Sequence, residues 1–248
     1  MYDKSFQEII DHIGVEPFYQ DKHRAIFHGD CLEILPKLPD GCVDLVLTDP
    51  PYGINYQSAR RKDKSRWKPK IKNDKFPFVW WLLDAGRVMI DPSALACFTR
   101  WDTEQDFRIA VRWSGITPKS QVIWDKEIHG MGDLSGDFAP QHENIIFAVK
   151  GDYKFPAKRP HSVIRAQRIR ADALIHPNEK PVSLMLSLVE SLCPADGVIL
   201  DPFMGGGSSV AGVKDRFAIG IELEEKYCEI AADRCANDVA ERIRQGEY

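Results

Sequence analysis

The sequence predicts an α/β fold, a doubly wound and mostly parallel sheet with helices on both faces. Three observations predict it. Short apolar runs recur along the 248 residues, most of them ending in polar or charged side chains. Amphipathic helical patterns alternate with those runs. Late in the chain, an apolar run enters a glycine cluster, and the next run ends in an acid. Strands covered on both faces read as near-continuous Val, Ile, Leu and Phe, and helices between them imply parallel crossovers. The length suits one domain, taken as 1–248.

The strands are expected at 24–30 (RAIFHGD), 43–50 (VDLVLTDP), 94–100, 120–126, 144–151, 197–203 (GVILDPF) and 217–223 (FAIGIEL). Helices are expected at 76–89, where Trp80 and Trp81 belong to an apolar run and read as core. Others are expected at 102–115, with Asp102 or Thr103 as N-cap, at 180–192, with Pro181 in its first turn, and at 224–244. The small residues after the glycines, 205–213, read as one more helix.

Composition narrows the function. No run approaches the roughly 18 apolar residues of a membrane span. The stretch MYDKSFQEIIDHIGVEP lacks a basic segment followed by an apolar core, so no signal peptide is expected, and a cytoplasmic location is. Six scattered cysteines form no C-x-x-C pair, which argues against zinc and for a reducing compartment. Net charge is −4, but the charge is segregated. Residues 60–72 carry eight basic side chains against one acid, and 153–171 carry six with no acid. Either run alone reads as a solvated loop; together, basic segments set against acidic ends point to a polyanion.

Two motifs carry chemistry. TDPPYGINY (48–56) ends a buried strand with two prolines, which cannot continue a ladder because neither has an N–H. The strand tip becomes a rigid wall bearing a carboxylate (Asp49), fixed carbonyls (Pro50, Pro51) and a ring (Tyr52). VILDPFMGGGSSVAGV (198–213) is a strand followed by a glycine loop that lets backbone approach a ligand. Glu222, ending the next strand, stands where an acid binds the ribose hydroxyls of a nucleotide. In a dinucleotide fold that unit comes first. Here it comes last, so the N-terminal strands must complete its sheet, bringing DPPY and DPFMGGG to one edge.

With these motifs and HGDCLEIL (28–35), IWDKEIHGMGD (123–133), QHENIIFAVKG (141–151) and HPNEKPVSLM (176–185), the chain resembles the S-adenosylmethionine-dependent DNA amino-methyltransferases. Specifically, it resembles the N6-adenine/N4-cytosine enzymes whose catalytic motif precedes the cofactor motif. The resemblance covers about 24–236. It implies a Rossmann-like methyltransferase fold with a seven-stranded sheet and one reversed strand. One departure is visible: the loop reads FMGGGSS where the family often has Phe-x-Gly-Ser-Gly-Thr-Thr, so Gly206 lacks a hydroxyl.

The resemblance assigns catalysis to Asp49, Pro50, Pro51 and Tyr52. It assigns the cofactor to Asp30, Cys31, Asp49, Lys180, Asp201, Pro202, Phe203, Gly205, Gly207 and Glu222. Among these it sets Asp30 and Cys31 by the adenine and Lys180 near the cofactor carboxylate. Read from the residues alone, Asp30 caps the following helix; the alternative for Glu222 is an acid favoured at a helix start, and for Lys180 a surface lysine before Pro181. His142 and Glu143 read as a structural pair near the sheet edge. No metal is expected. Double-stranded DNA is the expected partner, held by a basic insertion at 57–75 (Arg60, Arg61, Lys64, Arg66, Trp67, Lys68) and a target-recognition segment at 152–175 (Arg159, Arg165, Arg168, Arg170). A homodimer and a cognate restriction enzyme stay open.

Asp49 as the first residue of the tetrapeptide favours adenine N6; the alternative is cytosine N4. The absence of a Pro-Cys motif counts against cytosine C5. An RNA substrate, a nicotinamide-dependent oxidoreductase with a permuted nucleotide fold and a catalytically silent DNA-binding module are the rival readings.

Overall fold

A computed structural model describes residues 5–53, 75–130, 135–169 and 179–237. The chain opens with α1 (Phe6–Ile13), closed by a capping box between Ser5 and Glu8 and by Gly14 in the left-handed region. Its Phe6, Ile9, Ile10 and Ile13 are buried against the sheet, each stabilising the fold by roughly 1.5–3 kcal/mol. There follow β1 (Tyr19–Gln20), β2 (Arg24–His28), α2 (Cys31–Ile34), a 3₁₀ turn (Leu35–Lys37) and β3 (Val43–Thr48). The middle of the chain supplies α3 (Trp81–Val88), β4 (Met89–Thr99), α4 (Glu104–Trp113), β5 (Thr117–Asp125), β6 (His142–Lys150) and β7 (Val163–Arg165). The last part gives α5 (Val182–Leu192), β8 (Val198–Asp201), β9 (Phe217–Glu222) and α6 (Glu225–Ala236).

Among the described residues, all strands join one sheet in the order β1-β2-β9-β8-β3-β4-β6-β5-β7. Every expected strand is present, but the sheet has nine strands and two reversed ones, β1 and β6, not seven and one. The two extra strands lie at the edges and are two and three residues long, too short to leave a periodic pattern. Two apolar layers cover the faces. One face packs α1, α2, α3 and α4; the other packs α5, α6 and the residues after the glycine loop.

Three expectations are corrected. The small-residue segment is a run of turns, not a helix, with Val210 N–H to Gly207 O (3.2 Å) and Val213 N–H to Val210 O (3.3 Å). Gly207 is held at φ 80° and a Cβ there would stand 2.6 Å from Ala231 Cβ, so this position requires glycine. Trp80 is 68% exposed while Trp81 is fully buried. Thr103 occupies the N-cap position of α4, but its side chain makes no capping bond.

The permuted order has a direct geometric result. β3 pairs in parallel with β8 through Leu45–Ile199 and Val46–Leu200, which sets their carboxyl ends side by side. β9 lies beyond β8, and β2 beyond β9.

Candidate active site

Leu45 and Leu47 of β3 point to the layer that contains α5 and α6. The two-residue alternation puts Asp49 on that same face. There Asp49 Oδ1 accepts from the Tyr52 hydroxyl, and Oδ2 accepts from the Lys180 ammonium. Burial pushes the Asp49 carboxyl up from its ordinary range, and Lys180 pulls against that rise. Pro50 is buried and Pro51 half-buried, so the carbonyls after β3 are fixed without a ladder partner.

Lys180 is not a surface lysine. It is 7% exposed, with its ammonium 5.0 Å from the centre of the Phe98 ring. Besides Asp49 it faces Glu143, whose Oε2 lies 3.2 Å away. Glu143 Oε1 pairs in turn with Lys126 at 2.7 Å. Burial alone would lower Lys180, but Asp49 and Glu143 outweigh it and raise the ammonium to about 12. Burial would likewise raise Glu143, but Lys180 and Lys126 hold it below the ordinary carboxylate range. The four groups alternate in sign.

Glu143 therefore pairs with two lysines rather than with His142, and β6 is no edge strand. Because β6 runs against its neighbours, its N-terminal end meets the carboxyl ends of β4 and β5, and β3 lies one strand beyond β4. Residues 145, 147 and 149 of β6 are buried apolar side chains on the face that Asp49 shares. Residue 143 is next in that alternation, so the sequence does carry a signal: an acid on a buried face.

On the cofactor side, Asp201 is 2% exposed and accepts at Oδ1 from Thr48 Oγ1 (2.6 Å) and Phe203 N–H (3.0 Å), and at Oδ2 from Ser209 Oγ. Burial raises it to about 6. Pro202 is buried, and Phe203 packs edge-on against Trp81 and Phe78 at 5.5 and 5.8 Å. Glu222 accepts from Gly205 N–H at 3.0 Å and Glu224 N–H at 2.7 Å, and burial raises its carboxyl. An ionised carboxylate has about four acceptor positions, so these bonds do not exhaust its capacity to accept hydroxyls. The β2 end reaches this point through the His28–Glu222 register and a 2.9 Å bond from Gly29 N–H to Glu222 O. Asp30 caps α2 through Leu32 N–H at 2.9 Å, as the residues alone predict, and Cys31 follows it, buried. Asp30, Cys31, Asp201, Pro202, Phe203, Gly205, Gly207 and Glu222 thus lie along neighbouring strand ends. The donor and acceptor set fits an adenosine-bearing ligand, with turn N–H groups in place of the expected helix N-terminus.

Two residues that sequence reasoning missed tie these halves together. Arg234 Nη1 donates to Gly206 O at 2.8 Å, and Nη2 pairs with Glu179, the neighbour of Lys180. Of the expected DNA contacts, Arg159, Arg165 and Arg168 are exposed. Arg165 ends β7, 3.9 Å from Asp125, on the same edge as Asp49 but four strand spacings away, roughly 19 Å. Arg60, Arg61, Lys64, Arg66, Trp67, Lys68 and Arg170 lie outside the described residues.

Comparison with known proteins agrees with this arrangement. The Type II methyltransferase M.ScaI of Streptomyces caespitosus is 23% identical over 266 aligned positions, covering 88% of this chain and 83% of the relative. M.BglII of Bacillus subtilis, also a Type II methyltransferase, is 24% identical and covers 93% of this chain and 77% of its own. Among solved structures, the M1.HpyAVI–SAM complex superposes with a TM-score of 0.69 at 20% identity, covering 86% of this chain and 98% of that one. The cytosine-N4-specific PvuII DNA methyltransferase gives 0.70 at 17%, with 94% and 97% covered, so the fold is shared. Residues 43–233 match the family model of the N6/N4 DNA methylases, and the chain belongs to that family.

Proposed function

We propose that this DNA methyltransferase moves a methyl group from S-adenosylmethionine to the N6 amino group of an adenine extruded from double-stranded DNA. The observation that carries the reading is the Asp49 carboxylate, with Tyr52 on its Oδ1, held at a strand end beside the glycine loop. Asp as the first residue of the tetrapeptide resembles the adenine enzymes.

An exocyclic amino group is a weak nucleophile because its lone pair is spread into the ring. Asp49 and the Pro50 carbonyl accept its N–H hydrogens and localise that pair. The Tyr52 ring offers a stacking face, worth about 1–3 kcal/mol against the few kcal/mol that extrusion costs. When bound, S-adenosylmethionine supplies an electrophilic methyl on sulfur: the C–S electron pair stays with sulfur as the C–N bond forms. The nitrogen then sheds a proton, and the raised Asp49 carboxyl is suited to receive it. No covalent base adduct is needed. All six cysteines are buried, and burial raises their thiols. We assign the DNA grip to 57–75 and 152–175.

Nucleoside mass spectrometry of unmethylated DNA incubated with the protein and S-adenosylmethionine tests the reading. N6-methyladenine is expected. N4-methylcytosine would keep the mechanism and move the base; no methylated base on DNA would overturn the reading.

A further inference from the structure

Glu143 has one oxygen engaged and one waiting. Oε1 pairs with Lys126 at 2.7 Å, while Oε2 is fully enclosed and makes no hydrogen bond among the described residues. Lys180 Nζ lies 3.2 Å from that Oε2 but gives its hydrogen bond to Asp49 Oδ2. The Tyr52 hydroxyl takes Oδ1. Both Asp49 oxygens thus hold a donor before any substrate is present, and an amino group arriving there would share an oxygen with the donor it already holds unless that donor moves. Oε2 is ion-paired with an ammonium whose hydrogen bond is directed elsewhere, so one cation lies between two buried carboxylates.

We propose that Glu143 is a positioning residue that takes the Lys180 ammonium when a base amino group reaches Asp49. Lys180 turns from Asp49 Oδ2 to Glu143 Oε2, and the vacated oxygen accepts the N–H of the base. The inference rests on the reading of Asp49 as the amino-group acceptor. The move is short, because the ammonium already stands between the two carboxylates. It changes no net charge, since one cation serves two anions before and after. The Phe98 ring, 5.0 Å from the ammonium, remains beneath it as a favourable surface for a cation. Pro181, next in the chain, restricts the Lys180 backbone to extended conformations. Lys180 is raised to about 12 and Glu143 is held low, so cation and waiting acceptor are both ionised at neutral pH.

The test is the single-turnover methyl-transfer rate, at saturating S-adenosylmethionine and DNA, for wild type, Glu143→Gln, Glu143→Asp, Lys180→Met and the Glu143→Gln/Lys180→Met double variant. Glu143→Gln is expected to slow transfer by about tenfold or more, the effect of removing a charged acceptor from a buried network, with cofactor Kd within about twofold. Glu143→Asp keeps the charge but draws the oxygen back, and falls between. In the Lys180→Met background the Glu143 substitution should add little, because Glu143 acts through Lys180. A wild-type rate in Glu143→Gln, or an equally large effect without Lys180, overturns the proposal. If Glu143→Gln does not fold, Glu143→Asp decides alone, and a wild-type rate there overturns it. Wild-type protein that methylates no DNA would instead overturn the function on which the proposal stands.

Discussion

Arg234 of α6 holds Gly206 of the glycine loop, Nη1 to O at 2.8 Å, while its other arm pairs with Glu179 beside Lys180. The last helix therefore fastens the cofactor loop to the segment that serves Asp49. A Cβ at Gly206 would stand 3.4 Å from Nη1, an ordinary van der Waals contact, so nothing in the packing there explains the departure. Arg234→Ala should weaken S-adenosylmethionine binding by about tenfold, the order of one missing charge-assisted hydrogen bond, read by calorimetry.

Asp49→Asn should cut methyl transfer by on the order of 10²–10³, the loss typical of a group that stabilises developing charge. Cofactor affinity should stay near wild type, because the glycine loop does not rest on Asp49. The fold should stand as well, since Glu143 still faces Lys180. Single-turnover kinetics beside a calorimetric Kd separates the two effects.

The buried Asp201 predicts a pH dependence of stability. Its carboxyl lies at about 6 in the folded state against an ordinary 3.8, so the native protein holds that proton more tightly than the unfolded chain. Its contribution is complete below about 4 and is lost as pH rises toward 6. Asp201→Asn cannot ionise. The Tm of wild type relative to this variant should therefore fall between pH 4 and about 6 and level off above it.

Trp80 and Trp81 are adjacent yet opposite in consequence. Trp81→Ala should cost roughly 3–5 kcal/mol by denaturant unfolding, since it empties a fully buried site against Phe203. Trp80→Ala should stay within about 0.5 kcal/mol. Equal costs would refute this difference in burial.

Replacing Arg159, Arg165 and Arg168 with Ala should weaken DNA binding across sequences and flatten its salt dependence. The slope of log K against log salt should drop by about 0.9 for each phosphate that is no longer neutralised. An unchanged slope would remove this segment from the DNA interface.

The seven principal strands were legible because strands buried on both faces spell continuous apolar runs, and the two catalytic motifs because prolines and glycines punctuate strand ends. β1 and β7 were not, being two or three residues at an edge. Trp80 was misread because the apolar run around it hides direction: it stands at the N-cap position of α3 and faces outward, while Trp81 and Leu82 are both buried. Glu143 was readable from alternation along β6. The Lys180–Asp49 contact was not, for it spans 131 positions and no local period expresses it. Nor does the glycine loop by itself point to Arg234, since the bond between Arg234 and Gly206 exists only through the packing of α6.

The pairing of β3 with β8 also sets a clock. Thr48 and Asp201, which bond across that pair, are 153 positions apart. At roughly 5–20 residues per second, synthesis takes about 8–30 s to travel that distance. Once β4 has emerged, the strand VDLVLT has a partner on one side and an open, apolar edge on the other, which is a template for wrong pairing. The newborn chain therefore cannot assemble its catalytic centre until β8 has emerged, and what shields that edge during translation bears on its yield.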